Sequence, residues 1–186
     1  MMQNIYLILD VSGSMFGEPM QSMLNGVDGL LAAFRSSTEI DFENTYVTVI
    51  TFSTDTKIVL KDIPLAEFVM PDIKAGGCTN FSRMMDVLLE VVEADHEVEK
   101  IDKTPPMAFF FMDGFPTDEE YENAIKRFHE HEWFSYASFA IAGGTEKYFL
   151  AKMTSARRVF DLSINPSFQA AITQLPHMSN GGVYNG

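Results

Sequence analysis

Cysteine is almost absent: Cys78 stands alone among 186 residues. A single thiol closes no intrachain disulfide and builds no thiolate zinc cage. Positive charge is scarce too, with 13 Lys and Arg against 26 Asp and Glu and a formal net charge of −13. That balance excludes a general binder of nucleic-acid phosphates. Long hydrophobic runs are missing. The two longest, near Ile5–Leu9 and Met107–Met112, fall well short of the roughly 20 residues that span a bilayer. No basic start followed by an apolar stretch marks a secretory signal, so the expectation is a cytoplasmic protein without membrane association. What is present, 46% hydrophobic and 21% charged residues, is the make-up of a folded globular chain. The expected organisation is a single domain over 1–178 and a flexible tail over 179–186, where three glycines gather.

Strand-like and helix-like segments alternate along the chain. Ile5–Leu9 and Met107–Met112 are continuous apolar runs of β-formers and read as strands buried on both faces. Each ends on an aspartate, Asp10 and Asp113. Pro19 suits a helix start, and Met20, Met23, Leu24, Val27, Leu30, Leu31 and Phe34 recur at helical spacing, predicting a helix over 18–36. Asn44–Ser53 and Thr56–Leu60 read as a hairpin, hence one antiparallel edge strand. Pro64 and Pro71 bracket a short helical turn, and a glycine loop over 74–80 precedes a helix that begins at Phe81. A polar helix over 118–131, a strand over 133–142, a short helix over 145–153, a strand over 158–162 and a last helix over 166–177 complete the pattern. The expected fold is therefore α/β: a doubly wound, mostly parallel central sheet with helices on both faces. In such sheets ligands gather where strands end and loops lead into helices.

Three of those loops carry oxygen-bearing side chains. The first holds Asp10, Ser12 and Ser14 around Gly13, the second holds Thr79, and the third holds Asp113. Two carboxylates and three hydroxyls match the oxygen preference of magnesium or manganese, with calcium a poorer match. Read alone, D-V-S-G-S is also a helix-capping loop, and its junction with Thr79 and Asp113 is what favours a metal. The pattern D-x-S-x-S, a distant Thr and a distant D-G resembles the metal-ion-dependent adhesion site of von Willebrand factor A domains. The stretches Y-L-I-L-D-V-S-G-S-M-F-G-E-P-M, V-T-V-I-T-F-S and M-D-G-F-P-T-D are similar to bacterial tellurite-resistance TerY-type proteins. Met112, where relatives often carry threonine, and Cys78 in the glycine loop depart from the pattern without removing a metal oxygen.

The resemblance implies direct donation from Ser12, Ser14 and Thr79, with Asp10 and Asp113 acting through water. It implies an open metal position for a Glu or Asp of a partner protein, and stress or tellurite-resistance complexes containing kinase- or phosphatase-like partners. The implied role is a divalent-metal-dependent interaction module, not an enzyme. A rival from another class is a metal-dependent phosphohydrolase using Asp10 as nucleophile. Against it, Ser12 stands where such enzymes place a second aspartate, and Lys74 is the nearest lysine to Thr79.

Other residues invite blander readings. Glu18 and Pro19 read as helix-start chemistry, and Asp118 as a cap on the helix that follows Pro116-Thr117. Cys78 lacks a paired histidine, His129 and His131 do not share a helix face, and the twelve methionines suit core packing. The seven acids between Asp86 and Lys103 read as a solvated face, with docking of a basic partner as the alternative. Phe16 and Phe115 lie in the site loops and either anchor a partner or pack inward.

Overall fold

A computed structural model describes residues 3–38, 40–98, 106–131, 135–140, 147–154 and 158–162. In chain order these form β1 (Gln3–Asp10), α1 (Glu18–Ser36), β2 (Thr45–Phe52), β3 (Thr56–Pro64), α2 (Phe81–Val98), β4 (Met107–Met112), α3 (Tyr121–His129), β5 (Ser135–Ala140), α4 (Lys147–Met153) and β6 (Val159–Asp161). The sheet order is β3-β2-β1-β4-β5-β6. All neighbours run parallel except β2 and β3, which form the antiparallel edge. The helix over 166–177 and the tail over 179–186 lie outside the described residues.

The continuous apolar runs are explained by the layers. Ile5, Leu7 and Leu9 of β1 join Phe109 and Phe111 of β4 against Met23, Val27, Leu30, Leu31 and Phe34 of α1. Tyr6 and Ile8, pointing the other way, meet Ala108 and Phe110 beneath Leu88 and Val92 of α2, Phe128 of α3 and Leu150 of α4. Both faces of the central strands are covered, so no polar alternation is tolerated there. Each fully buried Leu or Phe is worth roughly 1.5–3 kcal/mol, which pins the register of β1 between β2 and β4.

Three expectations shift. The segment between Pro64 and Pro71 holds one turn, Glu67 N–H to the Pro64 carbonyl at 2.9 Å, and no helix. Strand β3 runs past Leu60 to Pro64, through register irregularities at Val47–Ile50 and Asp62 at φ 52°. The polar helix starts at Tyr121, not at 118, because Asp118 is engaged elsewhere. Among the described residues no helix is long and apolar enough to cross a membrane.

Candidate functional site

The parallel strands β1 and β4 end side by side, so the loops that follow them leave the same edge of the sheet. Asp10, the last residue of β1, is fully buried, and its Oδ1 accepts the Ser12 N–H at 2.8 Å. Residues 13–15 form a tight 3-10 turn that buries Met15 and turns Ser14 outward. The Ser12 and Ser14 hydroxyls lie 3.1 Å apart, and Ser14 Oγ donates to Asp113 Oδ1 at 2.9 Å. A continuous chain of oxygens thus links the first loop to the third across 99 residues of sequence.

Main-chain bonds lace the second loop to both. Gly13 N–H donates to the Gly77 carbonyl at 2.9 Å, and Gly76 N–H to the Val11 carbonyl at 2.8 Å. Gly77 sits at φ 87°, and a Cβ there would lie 2.6 Å from the Thr54 hydroxyl, so glycine is required. Thr79 and Thr117 exchange bonds: Thr79 N–H donates to Thr117 Oγ1 at 3.1 Å, while Thr117 N–H and Oγ1 donate to the Thr79 carbonyl at 2.9 and 3.0 Å. Thr79 is buried. Of the five sequence candidates, four are joined by hydrogen bonds. Thr79 is positioned through its backbone, in the loop tied to the other two.

Asp118 corrects a sequence expectation. It caps α2 instead of its own helix: Oδ1 accepts the Phe81 N–H at 2.7 Å, Oδ2 accepts the Ser82 N–H at 3.1 Å, and the Ser82 hydroxyl also donates to Oδ2. Asn80 Oδ1 takes the Arg83 N–H at 3.1 Å. Two of the free donors at the start of α2 are therefore satisfied from the third loop, which ties down the chain that follows Thr79. Sequence reading missed Thr117 and misplaced Asp118. Their proximity to Pro116 was the only local signal, and it pointed to the wrong helix.

Charge distinguishes Asp10 within the group. Burial, reinforced by the nearby Asp113 carboxylate, raises its pKa to about 6 despite the bonds from Ser12. Its Oδ2 is buried with no hydrogen-bond partner. A buried carboxylate oxygen left unpaired is costly unless a cation or water meets it. Among the described residues no three His, Cys, Asp or Glu side chains cluster, so a zinc-type cage is not built. The donors at this edge are hydroxyl and carboxylate oxygens, the chemistry that holds hard divalent cations. The residues present fit such an ion.

Comparison with known proteins agrees with this architecture. The von Willebrand factor type A domain model matches residues 4–176. Similar solved structures include manganese-loaded TRAP protein of Plasmodium vivax (TM-score 0.69, 14% identity, covering 95% of this chain and 73% of that one). They also include the ArnB paralog VWA2 of Sulfolobus acidocaldarius (TM-score 0.63, 17% identity, 93% and 44%). A third is proximal thread matrix protein 1 of the mussel byssus with a zinc-occupied MIDAS motif (TM-score 0.61, 16% identity, 96% and 45%). The chain spans about half the length of the latter two. At these identities the likeness is one of fold. No curated protein sequence matches the chain.

Proposed function

The chain belongs to the von Willebrand factor type A domain family, and from that premise we propose that it is a metal-dependent protein-interaction module of TerY type. In this reading Asp10, Ser12, Ser14, Thr79 and Asp113 hold one divalent cation, magnesium or manganese before calcium. The observation that carries it is the buried, partnerless Asp10 Oδ2, on a residue whose other oxygen is bonded to Ser12, itself joined through Ser14 to Asp113. When bound, the ion supplies a positive, electrophilic point on a chain of net charge −13. That local field lets a Glu or Asp of a partner approach a surface that would otherwise repel it.

The chain's own groups set the terms of this exchange. Asp10 holds the Ser12 main chain in place, and Asp113 orients the Ser14 hydroxyl. The neutral hydroxyls donate without cancelling the ion's charge, which keeps it hungry for an external carboxylate. The alternative of a phosphohydrolase is disfavoured by burial: a nucleophile must reach its substrate, and Asp10 is fully buried. The proposed setting is cytoplasmic, in bacterial stress or tellurite-resistance complexes with kinase- or phosphatase-like proteins, as the TerY-like stretches suggest.

Titration calorimetry of magnesium into EDTA-treated protein tests the site. A single site is expected for the parent chain, with loss of measurable binding in Thr79→Ala. Equal binding by both proteins overturns the ligand set. Pull-down from the native host with and without chelator then tests the partner chemistry.

A further inference from the structure

Attraction between a bound cation and a carboxylate does not choose among partners, since every protein surface offers Asp and Glu. Selectivity has to come from what surrounds the ion. Five large hydrophobic residues are conspicuously exposed among those described, and two of them, Phe16 and Phe115, stand in the site loops. Their placement is matched. Phe16 lies two residues beyond Ser14, Phe115 lies two residues beyond Asp113, and Ser14 and Asp113 are hydrogen-bonded at 2.9 Å. Two residues of chain reach at most about 7 Å, so both backbones start close to that pair.

Neither ring is displayed by accident of a loose loop. Phe16 is 82% exposed. Its N–H donates to the Gly13 carbonyl at 3.3 Å, Met15 before it is fully buried, and Gly17 after it takes φ 83° to start α1. The turn that buries Met15 therefore holds Phe16 outward. Phe115 is 42% exposed and is backed by Phe149 at 5.4 Å and Tyr121 at 6.5 Å between ring centroids. A backed, half-exposed ring and an exposed one, carried by loops that the Ser14–Asp113 bond joins, offer apolar area on either side of that bond.

We infer that Phe16 and Phe115 form an apolar collar that selects partner segments in which a large hydrophobic side chain sits within two residues of the metal-binding Asp or Glu. This inference rests on the cation reading above and adds the sequence context of the partner's acid. Burying even half of such a ring against a partner contributes on the scale of an interface anchor. Phe16 supplies the greater part because it has more surface to lose.

The test is a display library of short random peptides with a fixed central Glu or Asp, panned on the full chain in millimolar magnesium and again with excess EDTA. Peptides retained only with magnesium are expected to carry Phe, Leu, Ile, Met, Trp or Tyr within two positions of the acid. For Phe16→Ser their binding should weaken roughly tenfold while magnesium affinity stays unchanged. Phe115→Ser should show a smaller loss; Phe16→Ser alone decides the matter if Phe115→Ser disturbs the aromatic stack. Magnesium-dependent retention without any apolar preference overturns the collar and leaves the cation reading standing. Retention indifferent to EDTA overturns the cation reading itself. A concentration-dependent dimer of the parent chain that Phe16→Ser abolishes overturns the partner assignment in favour of a second copy of this chain.

Discussion

Two sheltered carboxylates meet strand β1, and they are treated in opposite ways. Asp95, late in α2, has both oxygens engaged: the buried Tyr6 hydroxyl donates to Oδ2 at 2.8 Å, and the Lys61 ammonium meets Oδ1 at 2.9 Å. Its presence drives the Tyr6 pKa well up, chiefly with burial, and raises that of Lys61. Asp10, at the carboxyl end of the same strand, is more deeply buried and keeps one oxygen without a partner. A satisfied acid fastens α2 to β1 and β3. An unsatisfied one stores free energy that a cation can release. On the cation reading proposed above, the difference separates a structural end of the strand from a functional one.

Exchanging the acids' charges should break this contrast most visibly at Asp10. In chelated protein its raised pKa means that the stability tied to the neutral form is present below about pH 4 and is lost as pH rises through about 6. Asp10→Asn stays neutral, so it should be more stable than the parent at pH 7.5 in EDTA by up to about 3 kcal/mol, and equal to it near pH 4. It should also lose the magnesium response, which in the parent amounts to about 2.7 kcal/mol at a hundredfold excess over Kd. Denaturant melts at the two pH values, with and without magnesium, check both parts. An Asp10→Asn variant less stable than the parent at pH 7.5 in EDTA would remove the strain argument.

Asp95→Ala should do the reverse. Leaving the Tyr6 hydroxyl buried without its acceptor costs about 2 kcal/mol, and the magnesium response should be unaltered. Urea unfolding reads the first, calorimetry the second. Asp118→Ala sharpens the comparison from the loop side. Two N–H groups of α2 lose their acceptor, for about 1–2 kcal/mol, and magnesium affinity should fall modestly, because the start of α2 behind Thr79 loosens while the Thr117 bonds to Thr79 remain. Gly77→Ala adds a side chain at φ 87° whose Cβ would lie 2.6 Å from the Thr54 hydroxyl, so it should cost at least about 1–2 kcal/mol and loosen the loop that carries Thr79. A magnesium titration followed by melting temperature orders these variants.

How much of this was legible beforehand depends on how local its cause is. The strands β1 and β4 could be read because two-sided burial imposes continuous apolar runs, and each run stops at the aspartate that enters the site. Helix α1 matched its expected bounds because Pro19, Gly17 and the Met23–Phe34 stripe all act within a few residues. Asp118 could not be placed, since the donors it satisfies begin 37 residues away and nothing in P-T-D names them. The extension of β3 past Leu60 was hidden for a similar reason: Lys61 and Asp62 look like a polar ending. In the structure Lys61 reaches Asp95 of α2, while the Asp62 N–H bonds the Thr48 hydroxyl at 3.1 Å. The exposure of Phe16 against the half-packing of Phe115 turned on Phe149, a contact no local pattern shows. The acids of α2 are only partly a solvated face: Asp86 pairs with Arg127 at 2.5 Å and Asp95 with Lys61.

The central claim is that side chains from three laced loops surround one ion. Anomalous diffraction from crystals soaked in manganese addresses it directly. The account predicts one peak within direct or single-water reach of the Ser12, Ser14 and Thr79 hydroxyls and of the Asp10 and Asp113 carboxylates. A peak elsewhere, or none while Asp10 and Asp113 stay in place, would contradict it.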